Sequence, residues 1–145
     1  MMELQVFYQL LLSLFLGALI GLERESKERA AGLQTYSLVS LGSCLFTIIA
    51  SQMVSFFAQE YGMGFDPIRV IHAVVIGIGF VGGGVIFQHS AGVVGLTTAA
   101  GLWVAAAIGI AIGINQFSLA FFATVLALLI LVVFGMLERK IFNRD

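Results

Sequence analysis

The chain has 145 residues, of which 60% are apolar and only 10% charged, against roughly a quarter charged in soluble domains. From residue 70 to residue 137 there is no Asp, Glu, Lys or Arg, a stretch that no soluble surface tolerates but that a bilayer accepts if backbone groups pair within helices or a closed barrel. A net charge of −1 leaves no footprint for nucleic acid, and Cys44, the single cysteine, excludes an intrachain disulfide and a cysteine-built metal site.

Five apolar runs, at 4–22, 35–58, 68–87, 97–113 and 117–137, each approach the roughly 20 residues that a helix needs to cross the hydrocarbon core. They are continuously apolar and rich in Leu, Ala and Gly rather than alternating, so they read as helices and not barrel strands. The expected fold class is all-α: a single polytopic membrane domain over 1–145 with five transmembrane helices. No Lys or Arg precedes the first run and no small-residue cleavage site follows it, so it is expected to stay in place as a helix.

The first run carries Gly17 and Gly21 at the spacing of a helix-packing pair. It ends in Glu23, Arg24 and Glu25, followed by Lys27, Glu28 and Arg29. Spacing i,i+4 pairs Glu23 with Lys27, Arg24 with Glu28 and Glu25 with Arg29, and predicts a helix that continues past the apolar run. Two readings stand: a solvated, internally paired turn, or a charged rim that binds an ion, a lipid head group or a partner. Glu23 matters most, because it stands where the apolar run stops.

The second run places Ser40, Cys44, Thr47 and Ser51 on one face, where they either line a polar path or, as is expected, hydrogen-bond between helices, with Cys44 a buried thiol. Asp66 and Pro67 read as an N-cap and a first-position proline opening the third run. Arg69 and His72 follow. His72 is either a functional intramembrane group or a side chain reaching interfacial water. Gly77, Gly79, Gly82, Gly83 and Gly84 allow close helix packing or a broken segment whose carbonyls coordinate a cation. The GxGxxG at 77–82 lacks the preceding strand and following acidic residue of a dinucleotide site. His89 has no companion at metal-ligand spacing.

In the fourth run Thr97 is a candidate cap beside Thr98, and Gly101, Ala105, Gly109 and Gly113 form a ribbon of small residues. Trp103 lies too deep for an interfacial belt and is expected to pack inside. Only a tight turn at 113–116 separates the fourth and fifth runs, which must therefore form an antiparallel hairpin. Residues 126–134 are uniformly bulky and apolar, as on a lipid-facing helix.

Arg24, Lys27 and Arg29 in the first connection and Arg139, Lys140 and Arg144 in the tail stand against Arg69 alone on the other side. Six basic residues to one predict an N-terminus outside and a C-terminus in the cytoplasm. The small-residue faces outnumber what one chain can use, so a homodimer is expected, with Gly17 and Gly21 or the ribbon from Gly101 to Gly113 at its interface. No GxxxxGK[ST] loop is present for ATP hydrolysis, no catalytic constellation stands out, and neither a metal site nor another cofactor site is expected. A non-enzymatic protein is the expectation.

Several segments taken together are specific: GLERE at 21–25, AGLQT at 31–35 running into LVSLG at 38–42, DPIR at 66–69, GIGFVGGGVIF at 77–87, and GLTTAA at 95–100 followed by Leu102 and Trp103. In that order they resemble the MgtC/SapB membrane proteins of bacteria. Gln34, Ala73, Ile76 and Val94 depart from the family pattern. The resemblance implies a multi-pass protein of the bacterial inner membrane, in a short form without the appended cytoplasmic domain. It also implies a link to growth under magnesium limitation and, in pathogens, to survival inside host cells. The candidate functional residues are Glu23, Arg24, Glu25, Thr35, Asp66, Arg69, His72, Gly77, Gly79, Gly82, Gly83, Gly84, Thr97 and Thr98.

Magnesium takes oxygen ligands in near-octahedral geometry and dehydrates reluctantly, yet none of the five runs contains a carboxylate. Only Glu23 and Asp66, at opposite rims, could serve. The expectation is a component of magnesium homeostasis that assists ion or solute passage, not a self-sufficient pump. Its alternative is a regulatory or scaffolding subunit that binds another inner-membrane complex through helix contacts.

Overall fold

The computed structural model describes residues 2–61, 66, 68–89 and 92–142. Pro67, Arg144 and the side chains of His89 and Arg139 lie outside the described set. The elements are α1 (Met2–Ser26), α2 (Leu33–Tyr61), α3 (Ile68–Gly84), β1 (Phe87–His89), β2 (Gly92–Val94), α4 (Leu96–Gly113), α5 (Phe117–Leu129), a π-helical segment (Ile130–Phe134) and α6 (Gly135–Phe142). The fold is an all-α polytopic membrane bundle, and the helices follow in the expected order.

Among the described residues, four helices are long and apolar enough to cross a membrane: those at Glu3–Ser26, Leu33–Phe57, Leu96–Gly113 and Phe117–Glu138. The third expected span is shorter than its apolar run. α3 has 17 residues and stops at Gly84, which gives it about 25 Å of length. Three successive glycines are poor helix formers, and the chain turns there, Val85 N–H donating to the Gly82 carbonyl at 3.2 Å. It then enters a short antiparallel hairpin in which Phe87 faces Val94, an element absent from the sequence reading. α3 is nevertheless an unbroken helix, so the broken-segment alternative does not hold.

Gly95 closes this hairpin with φ +91, and a Cβ there would run into the Val85 carbonyl oxygen. Gly95 is also the residue that precedes α4, whose first turn has no side-chain cap. Thr97 is therefore inside the helix and not its cap.

α4 forms the centre of the bundle and packs against α1, α2, α3 and α5. Its hairpin with α5 is present as expected. The turn is a Schellman motif: Gln116 N–H donates to Ala111 O at 2.8 Å and Asn115 N–H to Ile112 O at 2.9 Å, with Asn115 in the left-handed region at φ 64. α3 runs antiparallel to α4, with Gly82 against Ala99.

Glycine spacing explains why α2 sits between α1 and α4. A methyl group on Gly17 would come within 2.7 Å of the Tyr36 carbonyl oxygen and one on Gly21 within 2.7 Å of Leu33 Cα. From the other side, Gly101 meets the Tyr36 ring, Gly109 the Ser40 backbone and Gly113 the Thr47 side chain. Ala105 is fully buried in the same core. Every face assigned to a homodimer interface is thus consumed within one chain, because α2 occupies both. α3 keeps four open glycines, Gly77, Gly79, Gly83 and Gly84, where an added Cβ meets nothing within 4 Å.

The polar face of α2 also works differently from the expectation. Thr47 Oγ1 donates to Ser43 O at 2.8 Å and Ser51 Oγ to Ile48 O at 2.8 Å, both within their own helix, and the buried Ser40 Oγ has no partner among the described residues. Only the buried Cys44 thiol reaches across, to Gln9 O at 3.8 Å. What α2 supplies is small side chains beside glycines, where dispersion contacts hold helices together in lipid. Trp103 is 55% exposed on the outer face of α4, not packed inside. Of the bulky stretch on the last span, Leu131 alone is buried.

Candidate functional site

The C-terminus of α1 and the N-terminus of α2 meet the N-terminus of α4 and the π segment at one end of the bundle. Tyr36, fully buried, donates its hydroxyl to Thr98 O at 3.0 Å. Lys27 Nζ donates to Leu131 O at 3.2 Å. A π segment takes carbonyls out of the regular i to i−4 ladder, and the ammonium group satisfies one of them. These contacts bring the first connection and the last helix to the same end, as the distribution of basic residues requires of alternating spans.

Three charges interlock here. Arg24 is buried, its side chain 4% exposed, and its Nε donates to Glu23 Oε2 at 2.5 Å. Glu23 Oε1 forms an ion pair with Lys27 Nζ. The expected Glu23–Lys27 pair is therefore present, but the other two expected pairs are replaced. Arg24 pairs with Glu23 and not Glu28, while Glu25 Oε2 accepts from Leu33 N–H at 3.0 Å, satisfying a first-turn donor of α2. The reason is where α1 ends. Arg29 N–H donates to Arg24 O at 3.1 Å and Glu28 N–H to Glu25 O at 3.0 Å, with Glu28 at φ 50. That closing turn carries Glu28 and Arg29 off the helical face.

A cavity of about 860 Å³ opens at this end. Arg24, Lys27, Thr97, Thr98, Leu131 and Glu138 contribute to its wall. Thr98 is buried and Thr97 exposed.

The remaining sequence candidates are not gathered with this cluster. Thr35 is half-buried in the first turn of α2. Asp66 sits at the far end of α3, its Oδ1 accepting from Ile68 N–H at 2.9 Å as the expected N-cap, and Arg69 and His72 are exposed near it. The glycines at 77, 79, 83 and 84 lie on an open helical face. Among the described residues, no three His, Cys, Asp or Glu side chains converge as a metal site would require.

Sequence reasoning overlooked the opposite end. Gln9 Nε2 donates to Ile112 O at 2.8 Å and Gly113 O at 3.1 Å, and Gln5 Nε2 donates to Asn115 Oδ1 at 2.8 Å. Two glutamines four residues apart inside an apolar run were the available signal, since polar groups at membrane depth rarely lack a partner. Tyr36 gave no signal, because its partner is a backbone carbonyl 62 residues away.

The family model described as MgtC family matches residues 10–140 of this chain. The chain is 37% identical over 144 residues to the "Putative magnesium transporter YhiD" of Escherichia coli K12, covering 99% of this chain and 67% of that protein. It is 38% identical over 130 residues to "Protein SapB" of Bacillus subtilis, covering 89% and 56%. To "Protein MgtC" of Salmonella typhimurium it is 43% identical over 119 residues, covering 82% and 48%. The chain thus spans between about half and two thirds of the length of these relatives. No solved structure matches it significantly.

Proposed function

This chain belongs to the MgtC family, and from that we propose that it is a bacterial inner-membrane component of magnesium handling, non-enzymatic, whose working end is the Glu23, Arg24 and Lys27 cluster. The observation that carries this reading is the buried Arg24 paired with Glu23, with the partly buried Lys27 beside them, at the wall of a cavity. A largely desolvated Arg24–Glu23 pair is costly to keep for stability alone, and clusters of this kind concentrate at functional sites. Support for magnesium comes from the name carried by the Escherichia coli relative.

A second reading is favoured by a specific feature: the apolar runs contain no carboxylate, so a divalent cation has no ligand of matching charge along the spans. On that reading the chain regulates or scaffolds another inner-membrane complex and conducts nothing. Purified protein in liposomes loaded with a Mg²⁺ indicator separates the two. Flux above empty vesicles that falls in Glu23→Gln supports assisted passage. No flux of Mg²⁺, Na⁺ or K⁺, together with co-purification of one membrane complex, supports the regulatory role.

A further inference from the structure

The cavity at the charged end is lined by a buried guanidinium that is only partly paired among the described residues. Arg24 uses only Nε on Glu23, so its two Nη amino groups have no acceptor among the described residues, although the side chain is 96% buried and forms part of the cavity wall. Facing the same space is the first turn of α4, an 18-residue helix with no side-chain cap. Its leading N–H groups and dipole favour an anion. A guanidinium with both Nη groups free offers the parallel donors that match two phosphate oxygens.

The geometry points to a binding site for a phosphate group between Arg24 and the first turn of α4, with Lys27 and Arg29 as further cations in the wall. Glu28 and Glu138 also line the cavity, so the site suits a phosphate with a single charge, as in a phosphodiester, better than a polyanion. Val94, Ile130 and Phe134 supply an apolar side to the same cavity. That wall accommodates the acyl chains of a phospholipid, while a free phosphate would leave it unused. The site shares Arg24 and Lys27 with the proposed working end, but phosphate binding there does not require that the chain handle magnesium.

The test uses the whole chain in mild detergent with EDTA, so that no divalent cation contributes. One arm titrates inorganic phosphate and follows the ³¹P signal. The other adds phosphatidylglycerol, with phosphatidylcholine for comparison, and counts bound lipid by native mass spectrometry. Arg24→Gln removes the free donors. Because that change touches the buried ion cluster, Thr97→Glu is the second variant: Thr97 is exposed in the first turn of α4, and a carboxylate there favours the helix while repelling an anion. At least one probe should bind the unmodified protein, and Thr97→Glu should weaken it tenfold or more. Phosphatidylglycerol binding that excess phosphate does not displace identifies a lipid headgroup, and displacement identifies phosphate as sufficient; both uphold the site. Failure of both probes to bind, or unchanged affinity in Thr97→Glu, overturns it.

Discussion

The side chain of Gln9 donates to the backbone carbonyl of Ile112 across 103 positions of sequence, at 2.8 Å. Ile112 and Gly113 belong to the last turn of α4, whose carbonyls lack partners within the helix. Ile112 and Gly113 are buried in the bundle, where a polar backbone group needs a partner, and α1 supplies a donor.

Replacing Gln9 by Leu removes the amide donor, leaving the Gly113 carbonyl unpaired and the Ile112 carbonyl with the Asn115 N–H alone. The expected loss is about 1–3 kcal/mol, read as a lower unfolding midpoint in detergent by fluorescence-detected size exclusion. Gln9→Glu should be worse than Gln9→Leu when ionised, because a carboxylate faces two carbonyl oxygens. Equal stability of Gln9→Leu and the unmodified protein would show that the end of α4 does not depend on this contact.

Two glycines of different surroundings should respond in opposite ways. Ala at Gly109 drives a methyl into the Ser40 backbone, and overpacking of this kind costs about 1–3 kcal/mol. Ala at Gly77 meets nothing within 4 Å and gains about 0.8–1 kcal/mol of helix propensity. Thermal midpoints should fall for the first and hold or rise for the second; a drop at Gly77 would reveal a partner covering that face.

Breaking the ion cluster from one side should cost more than removing it. Glu23→Gln leaves the buried Arg24 guanidinium without its carboxylate, a loss of about 3–5 kcal/mol for a buried pair. The double variant Glu23→Gln with Arg24→Gln should recover part of that loss. A double-mutant cycle with no coupling between the two positions would contradict the pairing.

The sidedness of the bundle is open to direct labelling. Ser26 is exposed at the charged end and Gln116 at the opposite end, while the native Cys44 is buried. With the basic end in the cytoplasm, a membrane-impermeant thiol reagent on intact cells should modify Gln116→Cys and spare Ser26→Cys. The reverse pattern would invert the topology.

Much of this architecture was legible in the sequence, because the bilayer imposes strong one-dimensional rules. Long charge-free runs specify spanning helices, the short connection at 113–116 forces α4 and α5 into a hairpin, and alternating spans carry both basic segments to one end. Asp66 capped α3 as its type and position indicate. Which surface each helix spends on which neighbour was not legible. Small-residue spacing marks a face for close approach but not its partner, so Gly17 and Gly109 pointed equally well to a second copy until α2 was found between them. The charged cluster failed in the same way. Spacing of i,i+4 pairs Arg24 with Glu28 only while the helix lasts, and α1 ends at Ser26. The cavity, the free Nη groups of Arg24 and the carbonyl that Lys27 satisfies all come from segments far apart in the chain. Only tertiary packing brings them together, since hydrogen bonds and ion pairs depend on distance in space and periodicity reports distance along one helix.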